Sequence, residues 1–382
     1  TAITNLPRRN ATEAGRATLG AAWALRSRVL LYWASPLFNS ENKIQRWKDA
    51  ADAAYEVIKL AKAGDYELSE DLNIWLTRDN RETIFEKQYL LGFKEHGWDG
   101  MHKPLSIAHN VGTKTNPTQE MVDAFPMTNG LLPHQEGSGY DDQNPYAGRD
   151  KRFYADIVYH LSDYCGRLQN CSVEGADLGF VDACGTSFCS HTGYYIRKGI
   201  NEKNTLYDRQ TGCDQSFIEI RYAEVLLNYA EALNEYEGPN DDVFEALDAV
   251  RHRAGITTDV KDILDDATDK EEVRKLIYNE RRVELCFEQH RYFDIRRWKI
   301  AKEVMHGKRM HGMRITAKRD ADGKPLTDEE GNYIWKYDPE MDIDKFLGGE
   351  NFSCVFEDYM YWMPIPYSEL TKNPALIQNP EW

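Results

Sequence analysis

The chain has 382 residues, 41% of them hydrophobic, and a formal net charge of −16. That length holds one large domain or two to three ordinary ones with a sizeable core, and the negative field repels phosphate backbones, which excludes a nucleic acid as natural partner. The most apolar stretch, Gly20–Leu37, is broken by Arg26, Arg28 and Pro36, so no segment has the uninterrupted apolar length of a membrane-spanning helix.

Thr1–Thr12 carry no signal-peptide pattern and lead as a polar loop into a helix predicted over 12–34. There Ala17, Ala21, Ala24, Leu25, Val29, Leu31 and Tyr32 recur at helical spacing, and small residues on one face permit close packing. Pro36 stops this helix. A second, over 45–63, ends at Gly64-Asp65 and completes an αα-hairpin over 12–64.

Residues 65–214 change character. Strand-like pieces at 83–89 and 153–159 sit among loops rich in Gly, Asn, Asp and Pro, and long loops of this kind usually carry function. Helical order returns over 215–237, where Ile218, Tyr222, Leu226, Tyr229 and Leu233 share a face, and over 241–254, with Gly238-Pro239-Asn240 between. A further pair is predicted over 269–289 and 292–304, so that 215–304 holds two pairs. Residues 305–382 read as polar loop with hairpin turns at Asp320–Gly323 and Asp328–Asn332, then a Pro- and Asn-rich tail over 361–382 that wraps the surface. The predicted fold is mainly α: tetratricopeptide-like helix pairs form a superhelical scaffold, and a loop-rich region of short strands packs on it.

No GxSxG, P-loop or dinucleotide fingerprint is present, so the motifs make no positive case for an enzyme. Glu280, Glu284 and Glu288 invite an acid–base reading. The interleaved Arg281, Arg282, Arg291, Asp294, Arg296 and Arg297 instead predict an ion-pair lattice that pins two adjacent helices. His96, His102 and His109 share a loop at spacings that match no helix-borne zinc site. Asp320–Asp328 opens like a calcium loop but lacks its closing ligand, so a tight turn is expected. No metal site, catalytic residue or cofactor is therefore predicted. Of seven cysteines, Cys165, Cys171, Cys184 and Cys189 cluster without zinc spacing; a local disulfide and free buried thiols both stay open.

The rings are the informative part, with 22 Tyr and 9 Trp. Trp98 lies between Gly97 and Gly100, which leave a ring accessible and let backbone approach a ligand. The apolar face of a pyranose packs on such a ring while neighbouring polar groups, here His96 and Asp99, bond its hydroxyls. Tyr140 and Tyr146, in a second Gly/Asp-rich loop, are further ligand-binding candidates. Trp75 fits a binding surface and a core equally. Trp23, Trp33, Trp47 and Trp298, on helical patterns, are expected in the core.

Seven segments, in order along essentially the whole chain, resemble the SusD/RagB family: RATLGAAWALRSRVLLYWASPLFN from Arg16, PTQEMVDAFPMTNG from Pro117, NPYAGRDKRFYADI from Asn144, TGYYIRK from Thr192, IEIRYAEVLLNYAEALNE from Ile218, IYNERRVELCFEQHRYFDIRRW from Ile277 and MPIPYSELTKNPALIQNP from Met363. The resemblance implies a lipoprotein of Bacteroidetes on the outward face of the outer membrane. It implies non-catalytic capture of oligosaccharides, or of peptides in some branches, and delivery to a SusC-like TonB-dependent transporter. The scaffold face would meet the transporter, and loops 90–150 and 160–190 would hold the ligand. The family pattern also places a lipid anchor, one more helix pair and some ligand-contacting aromatics ahead of the segments quoted. Two alternatives carry forward: a peptide-binding lid of the same architecture, and a glycoside hydrolase, which needs two carboxylates facing each other across a cleft.

Overall fold

Thr18 starts the first helix: its hydroxyl accepts the Ala21 amide at 3.1 Å and caps α1 (Leu19–Ala34). The computed structural model describes residues 3–108, 113–177, 190–204, 212–342 and 353–382. Gly15, at φ +81°, turns the chain just before the cap, so α1 begins at Leu19 rather than at Thr12. α2 (Ile44–Lys62) ends as predicted, at Gly64 with φ +90°. Ala21, Ala24, Ala50 and Ala54 let α1 and α2 approach closely around Leu31 and Val57.

The second pair is α3 (Tyr222–Glu237) and α4 (Asp241–Arg253), with Asn240 capping α4 through the Val243 amide at 3.1 Å. α2 packs on α3, and α5 (Lys270–Glu284) packs on α3 as well, so the second pair is the middle of a row. α6 (Arg291–Arg297) completes the third pair. Tyr278 stacks on Trp298 with centroids 3.6 Å apart, and Arg281 reaches Asp294 at 3.3 Å. The two last predicted helices are shorter than their patterns. Phe287 and Gln289, at φ +61° and +68°, end the first, and Lys299, at φ +59°, breaks the second, in a region bulky L-residues adopt only at a cost.

The scaffold meets the rest of the chain through buried ions. Glu284 accepts from Arg152 at 2.9 Å, from Arg221 at 2.6 Å and from Arg253. Glu82 accepts from Arg221 at 2.7 Å and Arg253 at 3.0 Å. Lys198 lies between Glu288 at 2.9 Å and Asp156 at 3.3 Å. A second group joins α3 to α6: Glu231 takes Arg297 at 2.7 Å, and Arg297 also holds Asp294 at 2.8 Å. The carboxylates read as a helix-pinning lattice do pin helices, and they also tie in the loop-rich region. Each buried ion is tolerated only because its partners are present.

The loop-rich region contains short antiparallel pairs. β1 (Thr83–Lys87) pairs with β6 (Phe217–Arg221), β2 (Ile157–Val158) with β5 (Tyr195–Ile196), β3 (Asp163–Tyr164) with β4 (Arg167–Leu168), and β7 (His311–Ala317) with β8 (Trp335–Asp342). Three expectations change here. Phe217–Arg221 is strand rather than the first turn of a helix, because Ile218 and Ile220 alternate inward against β1. Phe153 is helical, because Asp150 caps the Arg152 and Phe153 amides at 2.8 and 3.2 Å and strand begins only at Ile157. Residues 305–352, read as loop, hold the β7–β8 ladder. Its turn is as predicted, with Asp320 accepting the Asp322 and Lys324 amides at 3.0 and 2.9 Å.

Two satellite cores support this region, one around Phe125, Tyr146, Phe153, Tyr194 and Met313, the other around Val158, Tyr164, Tyr195 and Ile200. The tail lies across the end of α1 and α6: Trp362 meets Phe38 edge-on at 5.5 Å, and the Tyr292 hydroxyl donates to Met363 Sδ at 2.9 Å. Cys165, Cys171, Cys213 and Cys286 are free thiols; Cys184 and Cys189 lie outside the described residues.

Candidate functional site

Just beyond β1 the chain makes a tight turn, Leu90 and Lys94 exchanging two backbone hydrogen bonds of 2.9 Å around Gly92 at φ +80°. His96 then bridges to Cys213, and a short helix begins at Trp98. This excursion folds over the segment leading into β6 and encloses a cleft of about 340 Å³. Trp75, Tyr89, Trp98, Met101 and Phe217 line it, and the strained turn with Phe287 and Gln289 closes it. Two further hollows border it: one of 480 Å³ at Arg78 and Asn201 shares Trp75 and Gln215 with its lining, and one of 300 Å³ at Tyr32 and Phe293 shares Phe217 and Glu288.

Trp98 is half-buried rather than a free platform. Its Nε1 donates to the Lys198 carbonyl at 3.1 Å, and its ring lies 4.2 Å from His102. The anchored edge fixes the ring while part of its surface lines the cleft. His96 Nε2 bonds the Gln215 carbonyl oxygen at 2.8 Å, and its Nδ1 accepts the Trp98 amide at 3.3 Å, so the neutral Nε2–H form fits both partners. Tyr89 meets the His96 ring edge-on at 4.6 Å.

The other predicted residues divide. Asp99 is buried, and its carboxylate accepts from the Asn201 amide at 3.0 Å, Asn204 Nδ2 at 2.9 Å and Gln215 Nε2 at 2.5 Å. It fastens the cleft wall instead of meeting a sugar hydroxyl. Tyr146 is 7% exposed and packs among Phe153, Tyr159 and Tyr337, so burial removes it from any binding surface. Tyr140 lies apart from the cleft, edge-on to His134 at 4.9 Å. Trp75 joins the cleft, with Lys198 Nζ 5.2 Å from its ring. Trp47 and Trp298 are buried and Trp23 partly so, but Trp33 is 49% exposed beneath the Arg46 guanidinium at 3.9 Å. Tyr89, Met101, Phe217 and Phe287 escaped the sequence reading. Phe217 carries a usable signal, since strand alternation through Phe217–Arg221 puts it opposite Ile218 and Ile220.

The charges at the floor are spent. Burial alone would raise the Glu288 carboxyl, but Arg221 and Lys198 overcome it and hold it at about 2. A general acid needs the opposite displacement. Burial pushes Asp156, behind Lys198, up to about 6. Among the described residues, Asp248, His252 and Asp259 come close enough to share a metal ion, but Asp248 already accepts the Val260 amide at 2.8 Å and His252 pairs with Asp259 at 2.9 Å. His109 lies outside the described residues. The site is thus a ring-lined groove whose floor charges are paired, while Gln215 Oε1 and the Ser216 hydroxyl in its wall have no hydrogen-bond partner among the described residues.

A family model described as the SusD family matches residues 46–382. The chain is similar to SusD-like protein P2 of Formosa agariphila, at 37% identity over 91 residues that make up 23% of this chain and 18% of that protein. It superposes on a SusD-like protein from Bacteroides fragilis with a TM-score of 0.73 at 28% identity, covering 100% of this chain and 69% of the other. A SusD-like carbohydrate-binding protein from the same species gives a TM-score of 0.73 at 26% identity, over 98% of this chain and 68% of the other.

Proposed function

The chain belongs to the SusD family, and on that premise we propose that it binds oligosaccharides without cutting them, in the groove at Trp75, Tyr89 and Trp98. The observation that carries this reading is the groove itself: rings converge on it, the Trp98 edge is anchored, Tyr89 packs on His96, and further hollows border it on two sides. A pyranose offers an apolar face to such rings, and a chain of sugars needs a passage rather than a closed pocket. The similarity to a solved SusD-like carbohydrate-binding protein supports the same class of ligand. Affinity from stacking and a few hydrogen bonds on a preformed surface is on the order of −5 to −8 kcal/mol.

The reading includes no bond cleavage, because the carboxylate at the groove floor, Glu288, is locked as an anion by Arg221 and Lys198. It also includes an outward-facing, lipid-anchored place on the outer membrane and delivery to a SusC-like TonB-dependent transporter, supported by family membership alone. Calorimetric titration with a panel of neutral oligosaccharides tests the core of it. Trp75→Ala and Tyr89→Ala are expected to weaken binding at least about tenfold with the circular dichroism spectrum unchanged. Unaltered affinity in both variants, or release of shorter sugars, would sink the reading. Failure to co-purify with a transporter from detergent-solubilised membranes would remove the delivery step.

A further inference from the structure

A second cleft, of about 880 Å³, runs along one face of α5 between the α1–α2 loop and the residues after α6. It shares no lining residue with the ring-lined cleft. Its basic residues fall into two kinds. Lys270 and Arg274 are neutralised: Glu235 takes Lys270 at 3.3 Å and accepts from Arg274 Nη2 at 2.6 Å, and Glu271 pairs with Arg274 as well. Arg282 and Arg291 make no ion pair with a described residue: Glu120 and Asp123 act on Arg282, and Asp294 on Arg291, only as charges outside direct contact. Arg282 donates to the Glu120 carbonyl oxygen at 2.6 Å, and Arg291 makes no hydrogen bond or ion pair with any described residue. Burial, then the neighbouring Arg282 guanidinium, pushes Arg291 down to about 10.

The lattice arginines behave otherwise: Arg152, Arg221, Arg253, Arg281 and Arg297 each hold at least one carboxylate. The chain has 63 acidic residues against 47 basic ones, so a carboxylate is the easiest charged partner for it to supply. Two neighbouring half-buried guanidiniums with no carboxylate in direct contact are costly unless an anion arrives from outside. Lys275 and Lys299 add positive charge to the same cleft, where Glu303 is the one acid not already engaged by Lys270 or Arg274. The remaining lining suits a sugar. Ser40, Asn42 and Asn279 bring hydroxyl and amide groups, and half-buried Tyr278 presents a ring backed by Trp298.

We propose that this cleft is a second saccharide site, selective for sugars that bear a carboxylate or sulfate ester, with the acidic group held between Arg282 and Arg291. It rests on the saccharide-binding reading above and adds that the ligand carries negative charge. The test is calorimetric titration of wild type, Arg291→Gln, Lys275→Gln and Trp75→Ala with an oligogalacturonate, a sulfated oligosaccharide and a neutral oligosaccharide of equal length. At least one acidic probe is expected to bind the wild type, about tenfold more weakly in Arg291→Gln, less so in Lys275→Gln, and more weakly at high salt throughout. Which acidic probe binds identifies the group. Arg291→Gln should keep the wild-type melting temperature, because no partner is lost.

Acidic-probe binding that is indifferent to Arg291→Gln, or that disappears with Trp75→Ala, would overturn the proposal. So would a polyglutamate peptide that binds in an Arg291-dependent way while the acidic sugars do not, since the cleft would then receive a protein. Binding of the neutral probe alone overturns this inference and leaves the ring-lined groove standing. Binding of no probe at all overturns both.

Discussion

Trp298 and Trp98 both spend their indole N–H on an internal acceptor, Glu231 at 2.7 Å and the Lys198 carbonyl at 3.1 Å. In the scaffold Trp298 is then sealed, with Tyr278 stacked over it. In the loop-rich region no helix among the described residues covers Trp98, and part of its ring lines a groove. The scaffold fastens itself with ions drawn from several helices, whereas the groove is fastened with loop carbonyls and amides that hold ring edges from behind. A stacking surface arises where an aromatic side chain is fixed but left without a lid.

That contrast is most open to attack at Glu284. Glu284→Ala takes one carboxylate from each of Arg152, Arg221 and Arg253, leaving them Asp150 and Glu280, Glu82 and Glu288, and Glu82, and is expected to cost about 3–5 kcal/mol. Urea denaturation measures it, and a cost below about 1 kcal/mol would mean the ions are passengers.

The acid limb of stability comes next. Glu288 and Asp294 sit at about 2 in the folded state, because arginines and Lys198 override a burial that would raise them. The unfolded chain takes up these protons first, so their contribution is complete above about pH 5 and is lost between about pH 5 and 2, about 3 kcal/mol for each. Asp156 runs the other way. Raised by burial to about 6, it favours the folded state at low pH and loses that contribution as pH climbs from about 4 to 6. Urea midpoints measured across this range should show Asp156→Asn gaining on wild type as pH rises. A constant gap would refute the assignment.

Trp98→Phe sharpens the comparison on the groove side. It removes one hydrogen bond to a backbone carbonyl and is expected to cost about 1 kcal/mol, while affinity for a bound sugar falls less than in Trp75→Ala. The smallest effect belongs to the β7–β8 turn. Gly323 has φ +82° and open space where a Cβ would sit, so Gly323→Ala pays only for its backbone, about 0.5–1 kcal/mol in thermal melts.

The helix pairs were legible because their apolar spacing and their Gly and Pro punctuation are local properties, as at Gly64 and Asn240. The lattice was legible in kind, since alternating acids and arginines on adjoining helices can do little else, but its reach to Glu82 and Arg152 was not, because those residues are remote in sequence. Phe217–Arg221 misled because Ile218 fits a helical face with Tyr222 as well as it fits strand alternation; pairing with β1 decides. Among the predicted residues, Trp98 and His96, singled out through their glycine-rich loop, lie in the cleft lining. Asp99 and Tyr146 looked equally exposed, yet nothing near them in sequence announces Gln215 or Phe153 as a partner. Trp33 fell the other way, its helix face being uncovered. Trp75 and Tyr89 reach the groove only through the turn that follows β1.

The ion lattice also dictates an order of assembly. Glu82 lies 139 residues before Arg221 and 171 before Arg253, and Arg152 waits 132 residues for Glu284. Such closures are long-range, and remote contacts form late because long loops must be closed first. Until α5 has docked, Arg152 has only Asp150, and Arg221 and Arg253 share Glu82 without Glu284, so the loop-rich half gains its full anchorage only when the helical half is in place.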